Sequence, residues 1–333
     1  MPYSGSYDTA PVLSWWGKGG FVLSFIVFVV LALLPGSVAV PDSIVGSGYG
    51  VCLPSVSSWP LDATASMWIN MSLIAGAAVY SIFVTKHFNF VPADNLLYAI
   101  SLLLMCGATP WTTEKLNPGV LMLLLVLVCL NIIFSLYGRR NCAEGIFLVF
   151  SFLSFGSMVQ YAFLLLIPVF LLGCVFLRSM RIREVVAMLL GIAAPYWILL
   201  ATGVVKFSEF HLPALTNLFS GAESPMDLFR LLLTVAISGL IFLFALLVNS
   251  MRHASAGVMA RARWSFIHLL GFSLLWFMVF DFTNLLVYLP SFFLTVGYEC
   301  SLWGMRLRVT QRHYLALSLF VAYISLSVVF ACL

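Results

Sequence analysis

The chain has 333 residues, 62% of them hydrophobic and 8% charged, with a formal net charge of +4 at pH 7 and a mean hydropathy of +1.09. Soluble domains carry about 25% charged residues, so a water-exposed globule is excluded and the bilayer must solvate most of the surface. The positive excess is no nucleic-acid signal, because Lys and Arg fall in short clusters between apolar runs rather than in one patch.

Eleven apolar segments follow in order, at roughly 20–40, 66–85, 96–109, 119–137, 145–157, 160–177, 185–205, 228–249, 265–281, 284–304 and 313–333, against the ~20 residues that one crossing takes. They predict an all-α polytopic transmembrane helix bundle of about eleven spans, with residues 1–333 as one integral membrane domain and no soluble domain. The first run starts at Phe21, passes Pro35-Gly36 and continues toward Val40 without a small-x-small cleavage site. It reads as a span and not as a removable signal.

The charges set the orientation. With the N-terminus in the cytoplasm and the C-terminus outside, Lys18, Lys86, Arg139, Arg140, Arg178, Arg181, Arg183, Arg252, Arg261, Arg263, Arg306, Arg308 and Arg312 all fall inside. Lys115, Lys206 and Arg230 fall outside. Basic residues beside a span resist translocation, and one missed helix would invert every later cluster. Trp15, Trp16, Trp264 and Trp303 are expected at the inner interface, and Trp59, Trp68 and Trp111 at the outer one.

Between Arg140 and Arg178 the chain is too long for one span and barely long enough for two. It predicts a hairpin of two short helices (about 145–177) turning near Gly156 to Gln160, each arm reaching only ~25 Å. Residues 265–304 repeat the pattern, with an apex at Asp281-Phe282-Thr283-Asn284. Two outer loops, 41–65 and 206–227, are large enough to hold structure, and Phe210 to Phe219 could lie along the interface as an amphipathic turn. The short basic inner loops leave no room for an ATPase. Seven cysteines show no CxxC and no metal-like spacing. Cys106, Cys129, Cys174 and Cys300 read as packing residues and Cys142 as a reduced cytoplasmic thiol, while a bridge between Cys52 and Cys332 is left open.

No P-loop, HExxH, GxSxG or dinucleotide motif is present, and the sequence asks for no cofactor or metal. Ionisable residues near the membrane carry what chemistry there is. Asp42 follows the first span directly, as a general base facing a lipid-borne substrate or as a solvated Pro-Asp-Ser turn residue. Asp62 also fits an N-cap for the second span. Arg230 sits just inside the eighth span on the outer side, where its fork of donors suits a lipid phosphate or pairs with Asp227 or Glu223. Lys206 and His211 could join such a phosphate site or simply sit at the interface. Glu299 lies inside the tenth span, seven residues before Arg306, and is expected to snorkel to the inner interface. His268 could bond a neighbour, Asp281 is taken as an apex residue, and Asn70, Asn131 and Gln160 as interhelical hydrogen-bonding groups. No span places an acidic residue at the bilayer midplane, which argues against a proton-coupled carrier.

One segment carries a resemblance. Residues 145–205, GIFLVFSFLSFGSMVQYAFLLLIPVFLLGCVFLRSMRIREVVAMLLGIAAPYWILLATGVV, resemble an uncharacterised family of bacterial multi-pass inner-membrane proteins. More distantly they are similar to the middle spans of GT-C type glycosyltransferases that use polyprenyl-phosphate sugars. In those transferases an acidic residue in the first outer loop acts at the acceptor, and Asp42 occupies that position. This loop lacks an adjacent acidic partner and is short for that superfamily.

Two readings follow. One is a protein of cell-envelope biogenesis in the bacterial inner membrane, handling a polyprenyl-phosphate-linked sugar or glycan at the outer face. Asp42 would then be the catalytic base, and Arg230, Lys206 and His211 would bind the lipid phosphate. The other is a non-enzymatic scaffold of an envelope complex, with membrane lipids and other envelope membrane proteins as partners. A small-molecule carrier would show paired inverted repeats, which are not evident.

Overall fold

The computed structural model describes residues 18–33, 50–89, 91, 95–139, 141–177, 181–210, 225–250, 257–305, 307, 311, 314–315, 317–319 and 321–325. Every regular element among them is helical. The long helices are α1 (Gly20–Leu33), α2 (Ala63–Phe88), α3 (Leu97–Ala108), α4 (Pro118–Leu136), α5 (Ala143–Val159), α6 (Ala162–Phe176), α7 (Ile182–Ala201), α8 (Pro225–Ser250), α9 (Val258–Phe280) and α10 (Leu285–Gly304). Short helical turns occupy Val56–Ser58, Pro110–Thr113, Phe207–Glu209 and Phe282–Asn284. Each of the first ten apolar segments corresponds to one helix. Of the expected eleventh, 313–333, ten residues are described and all ten are helical.

Six stretches are long and apolar enough to cross a membrane: Ala63–Phe88, Pro118–Leu136, Ile182–Ala201, Leu231–Ser250, Val258–Phe280 and Phe282–Gly304. That is the pattern of a multi-pass membrane protein. Helices α1, α3, α5 and α6 are shorter. The twelve residues of α3 rise only about 18 Å, well short of a ~30 Å hydrocarbon core.

Local sequence sets the boundaries. α4 starts with Pro118 at its first position, and the Asn117 side chain accepts the Gly119 N–H at 2.8 Å, a cap that meets one orphan donor. The second helix ends at Asn89 and the fourth at Gly138, both at positive φ (46° and 76°), the left-handed conformation that stops a helix and favours these two residue types. Asp62 precedes α2 at its N-cap position and accepts the Thr64 hydroxyl. That bond holds its carboxyl below the usual range.

The last long helix, α10, forms the heart of the bundle. Every residue of α10 except Trp303 is buried, as expected for a helix that is apolar all round. It packs against α3, α4, α8 and α9. α3, itself buried along its whole length, lies between α10 and α1. Small residues allow the close approach: a Cβ on Gly297 would stand 2.6 Å from Ser101 Oγ and 2.7 Å from Tyr98 O, and one on Gly119 would stand 2.5 Å from Leu286 O.

Long-range contacts sort the helix ends into two groups. At one end, called here the apex end, Gln160 meets Asn284, Asn117 reaches Leu286 O, and Leu116 N donates to Ser66 Oγ. At the other, the basic end, Arg263 reaches Phe88 and Phe134, and Asn95 reaches Ser301. Successive helices therefore run in opposite directions.

Several sequence expectations need correction. Trp111 and Trp264 are buried, whereas Trp59 and Trp68 are exposed; the turn at Pro110–Thr113 carries Trp111 inward instead of onto the interface. Glu299 does not snorkel: it is fully buried, because α8 and α9 bring it hydrogen-bonding partners. Asp281 does lie at the turn between α9 and α10, as expected, and it is fully buried there.

Candidate functional site

The two hairpin turns meet at the apex end and share a buried polar cluster. Gln160 and Tyr161 lie between α5 and α6, and Asp281 and Asn284 lie between α9 and α10. Asp281 Oδ1 accepts the Tyr161 hydroxyl at 3.1 Å, and Oδ2 accepts Asn284 Nδ2 and the Tyr288 hydroxyl, each at 2.8 Å. Asn284 Oδ1 in turn accepts Gln160 Nε2 at 2.5 Å. A carboxylate away from water needs donors, and these three meet that need from two hairpins.

Within the 41–65 loop, the segment from Gly50 to Leu53 pairs with the end of α5. Val51 N and Leu53 N donate to Ser157 O and Met158 O at 3.0 and 2.9 Å, carbonyls at the end of α5. A Cβ on Gly50 would lie 2.0 Å from Met158 O, so only glycine fits. Cys52 beside it is a half-buried free thiol, and burial pushes its thiol pKa up. Cys332 lies outside the described residues.

Two apolar grooves flank α5. The first, about 320 Å³, runs from Val56, Pro118 and Gln160 at the apex end to Val128 and Phe152 between α4 and α5. The second, about 510 Å³, lies between α5 and α7, against Phe147, Phe155, Pro195 and Ile198. Phe155, 58% exposed, borders both. The Gln160 side chain is fully buried, and its Oε1 has no hydrogen-bond partner. The first groove is thus closed at its apex end by a buried amide and is otherwise a hydrocarbon-like wall, which matches an apolar chain.

A second buried polar group lies toward the basic end. Glu299 Oε1 bonds His268 Nδ1, while Oε2 accepts Asn249 Nδ2 at 2.8 Å. The His268 side chain is 14% exposed and that of Glu299 fully buried. Three helices, α8, α9 and α10, are pinned together here. Asn131 Nδ2 donates to the Tyr80 hydroxyl at 2.8 Å and Asn70 Nδ2 to Thr112 O at 2.6 Å, so these amides do join separate elements.

Of the four expected site residues, Asp42, expected as the catalytic base, and His211, expected at the phosphate, lie outside the described residues. Arg230 stands in the first turns of α8, but its side chain is likewise outside them. Lys206 is exposed in the turn before Phe207–Glu209. Lys206 is thus the one of the four whose side chain is among the described residues. The structure does bring together residues that sequence reading left apart, namely Tyr161, Asp281, Asn284 and Tyr288. The matched hairpin apices were the available signal, since two turns at the same bundle end can touch. Among the described residues no group of three or more His, Cys, Asp or Glu side chains could hold a metal ion. Comparison with protein-family models, with curated proteins and with solved structures finds no match.

Proposed function

We propose that this chain is a bacterial inner-membrane protein of cell-envelope biogenesis that binds a polyprenyl-phosphate-linked sugar or glycan at its outer face. In this reading the chain forms one membrane domain of eleven spans, with the apex end outside and the N-terminus in the cytoplasm. The alternating helix directions and the charge placement support that orientation. The observation that carries the reading is the groove between α4 and α5, apolar along its length and open on its outer side at Phe155. An isoprenoid chain is fully apolar and fits such a wall. If the protein is a transferase, Asp42 takes the proton of the acceptor hydroxyl as that oxygen attacks the sugar. Arg230 neutralises the departing polyprenyl phosphate, with Lys206 and His211 assisting.

The test is native mass spectrometry of full-length protein extracted gently from its own membranes. A retained polyprenyl-phosphate species, lost when Leu125→Trp fills the groove, is the expected result. Retention of ordinary phospholipid alone would overturn the lipid-linked reading. For the catalytic version, full activity in cells carrying Asp42→Asn would remove Asp42 as the base.

A second reading, a scaffold subunit, is favoured by α7. That helix packs principally on α5, and Ile182, Leu189, Leu190, Trp197 and Ile198 on its remaining surface are exposed. Stable co-purification of one defined membrane protein, lost on Trp197→Ala, would favour it.

A further inference from the structure

We propose a second binding site, at the basic end, that takes the phosphate group of an anionic ligand. It is independent of the groove reading and shares no residue with it. The site is built from two helix terminations. α2 turns off at Asn89, and α4 turns off at Gly138, where Arg139 N closes the turn onto Leu136 O at 3.0 Å. Carbonyls near such ends lack intrahelical donors. Arg263, in the second turn of α9, supplies two: Nη1 donates to Phe88 O at 2.9 Å and Nη2 approaches Phe134 O at 3.4 Å. Its guanidinium also lies 4.8 Å from the centre of the Phe88 ring and 5.7 Å from that of Phe134. Arg263 is 4% exposed, its Nε has no hydrogen-bond partner, and no carboxylate among the described residues pairs with it.

Beside Arg263 lies a cavity of about 450 Å³, whose wall includes His87, Asn89, Tyr137 and Arg139 and, among the described residues, contains no acidic side chain. Charge decides what it holds. Each helix C-terminus carries roughly half a negative charge, so two of them offset the single charge of Arg263. Arg139, exposed and without an ion pair among the described residues, remains as surplus. His87, also exposed, adds a second positive charge when protonated. Converging cationic donors with no competing carboxylate are the requirement for binding a phosphate. Basic pockets between helices at a membrane surface take lipid headgroups of this kind, and a soluble phosphate offers the same oxygens.

The test titrates the full-length protein, in a non-ionic detergent, separately with phosphatidylglycerol, phosphatidylcholine and inorganic phosphate, reading bound species by native mass spectrometry. Phosphatidylglycerol is expected to bind more tightly than phosphatidylcholine. Arg139→Ala is expected to weaken it roughly tenfold or more, the loss of one charge-assisted bond, while Arg139→Lys restores part of that. Arg139 and His87 are exposed, so these variants leave the buried Arg263 bonds intact, and an unchanged unfolding midpoint checks this. Inorganic phosphate that binds and is lost in Arg139→Ala would support the site and assign it to a soluble anion. Phosphatidylglycerol binding without phosphate binding would support it as a headgroup site. Equal binding of the two lipids, together with no effect of Arg139→Ala on any anion, would overturn the proposal.

Discussion

The bond between Tyr288 and Asp281 offers the sharpest check on how the two hairpins hold each other. The hydroxyl lies 2.8 Å from Asp281 Oδ2, inside the normal range for an O–H···O bond. Both side chains are fully buried. A hydrogen bond to a charged acceptor contributes about 1.5–3 kcal/mol, and a buried site sits at the upper part of that range because water cannot replace the lost donor. Removing only the oxygen, in Tyr288→Phe, keeps the ring and its packing, so the expected cost is about 2–3 kcal/mol. Asp281→Ala removes both acceptor oxygens and with them all three bonds. In that background Tyr288→Phe should cost under ~1 kcal/mol, since its partner is already compromised. The assay is reversible unfolding in mixed micelles across the four proteins of a double-mutant cycle. Additive losses, or a Tyr288→Phe cost below about 0.5 kcal/mol, would refute the claim that this carboxylate organises the turns.

Other expectations follow from neighbouring features. Gly297→Ala places a methyl group against Ser101 and Tyr98 and should destabilise by about 1–3 kcal/mol, the usual cost of overpacking, read as a lowered unfolding midpoint. Glu299→Ala strips the acceptor from His268 and Asn249 and should cost about 2 kcal/mol more than Glu299→Gln, which keeps an acceptor oxygen; equal losses would show that packing alone matters there. Cysteine placed at Lys206 should react with a membrane-impermeant maleimide in intact cells, whereas cysteine at Arg139 should react only after permeabilisation. The opposite pattern would invert the proposed orientation. Native Cys52 should contribute little labelling at neutral pH, because its raised pKa leaves less of the reactive thiolate.

Much of the helical layout was legible from residue order. The stretches between Arg clusters are too short for two full crossings, and this spacing alone placed both hairpin turns, at Gln160 and at Asp281 to Asn284. What was not legible is that the turns touch. An acidic residue at a predicted apex asks for no partner, and only contacts made across 120 residues or more supply one. Glu299 misled for a related reason: its nearest charge in sequence is Arg306, while its real partners come from other helices, 31 and 50 residues away. Arg263 looked like one more inner-face charge, because nothing in its neighbours announces that two helix ends converge on it. For Asp42 and Arg230, charge placement indicates a side of the membrane and says nothing of whether the two side chains meet.

The burial of α10 has a consequence for how the protein is made. The helix that fills the centre is the tenth to emerge, about 190 residues after α3, its principal neighbour among the early helices. At synthesis rates of roughly 5–20 residues per second, α3 waits on the order of 10–40 s for its partner. During that interval the faces of α3, α4, α8 and α9 that later enclose α10 can contact only lipid, one another or an insertion factor. Assembly is thus committed late, and a ribosome halted before Leu285 leaves a set of inserted helices without a centre. Such stalled chains should be the preferred prey of membrane quality-control proteases, while chains released after Gly304 should survive.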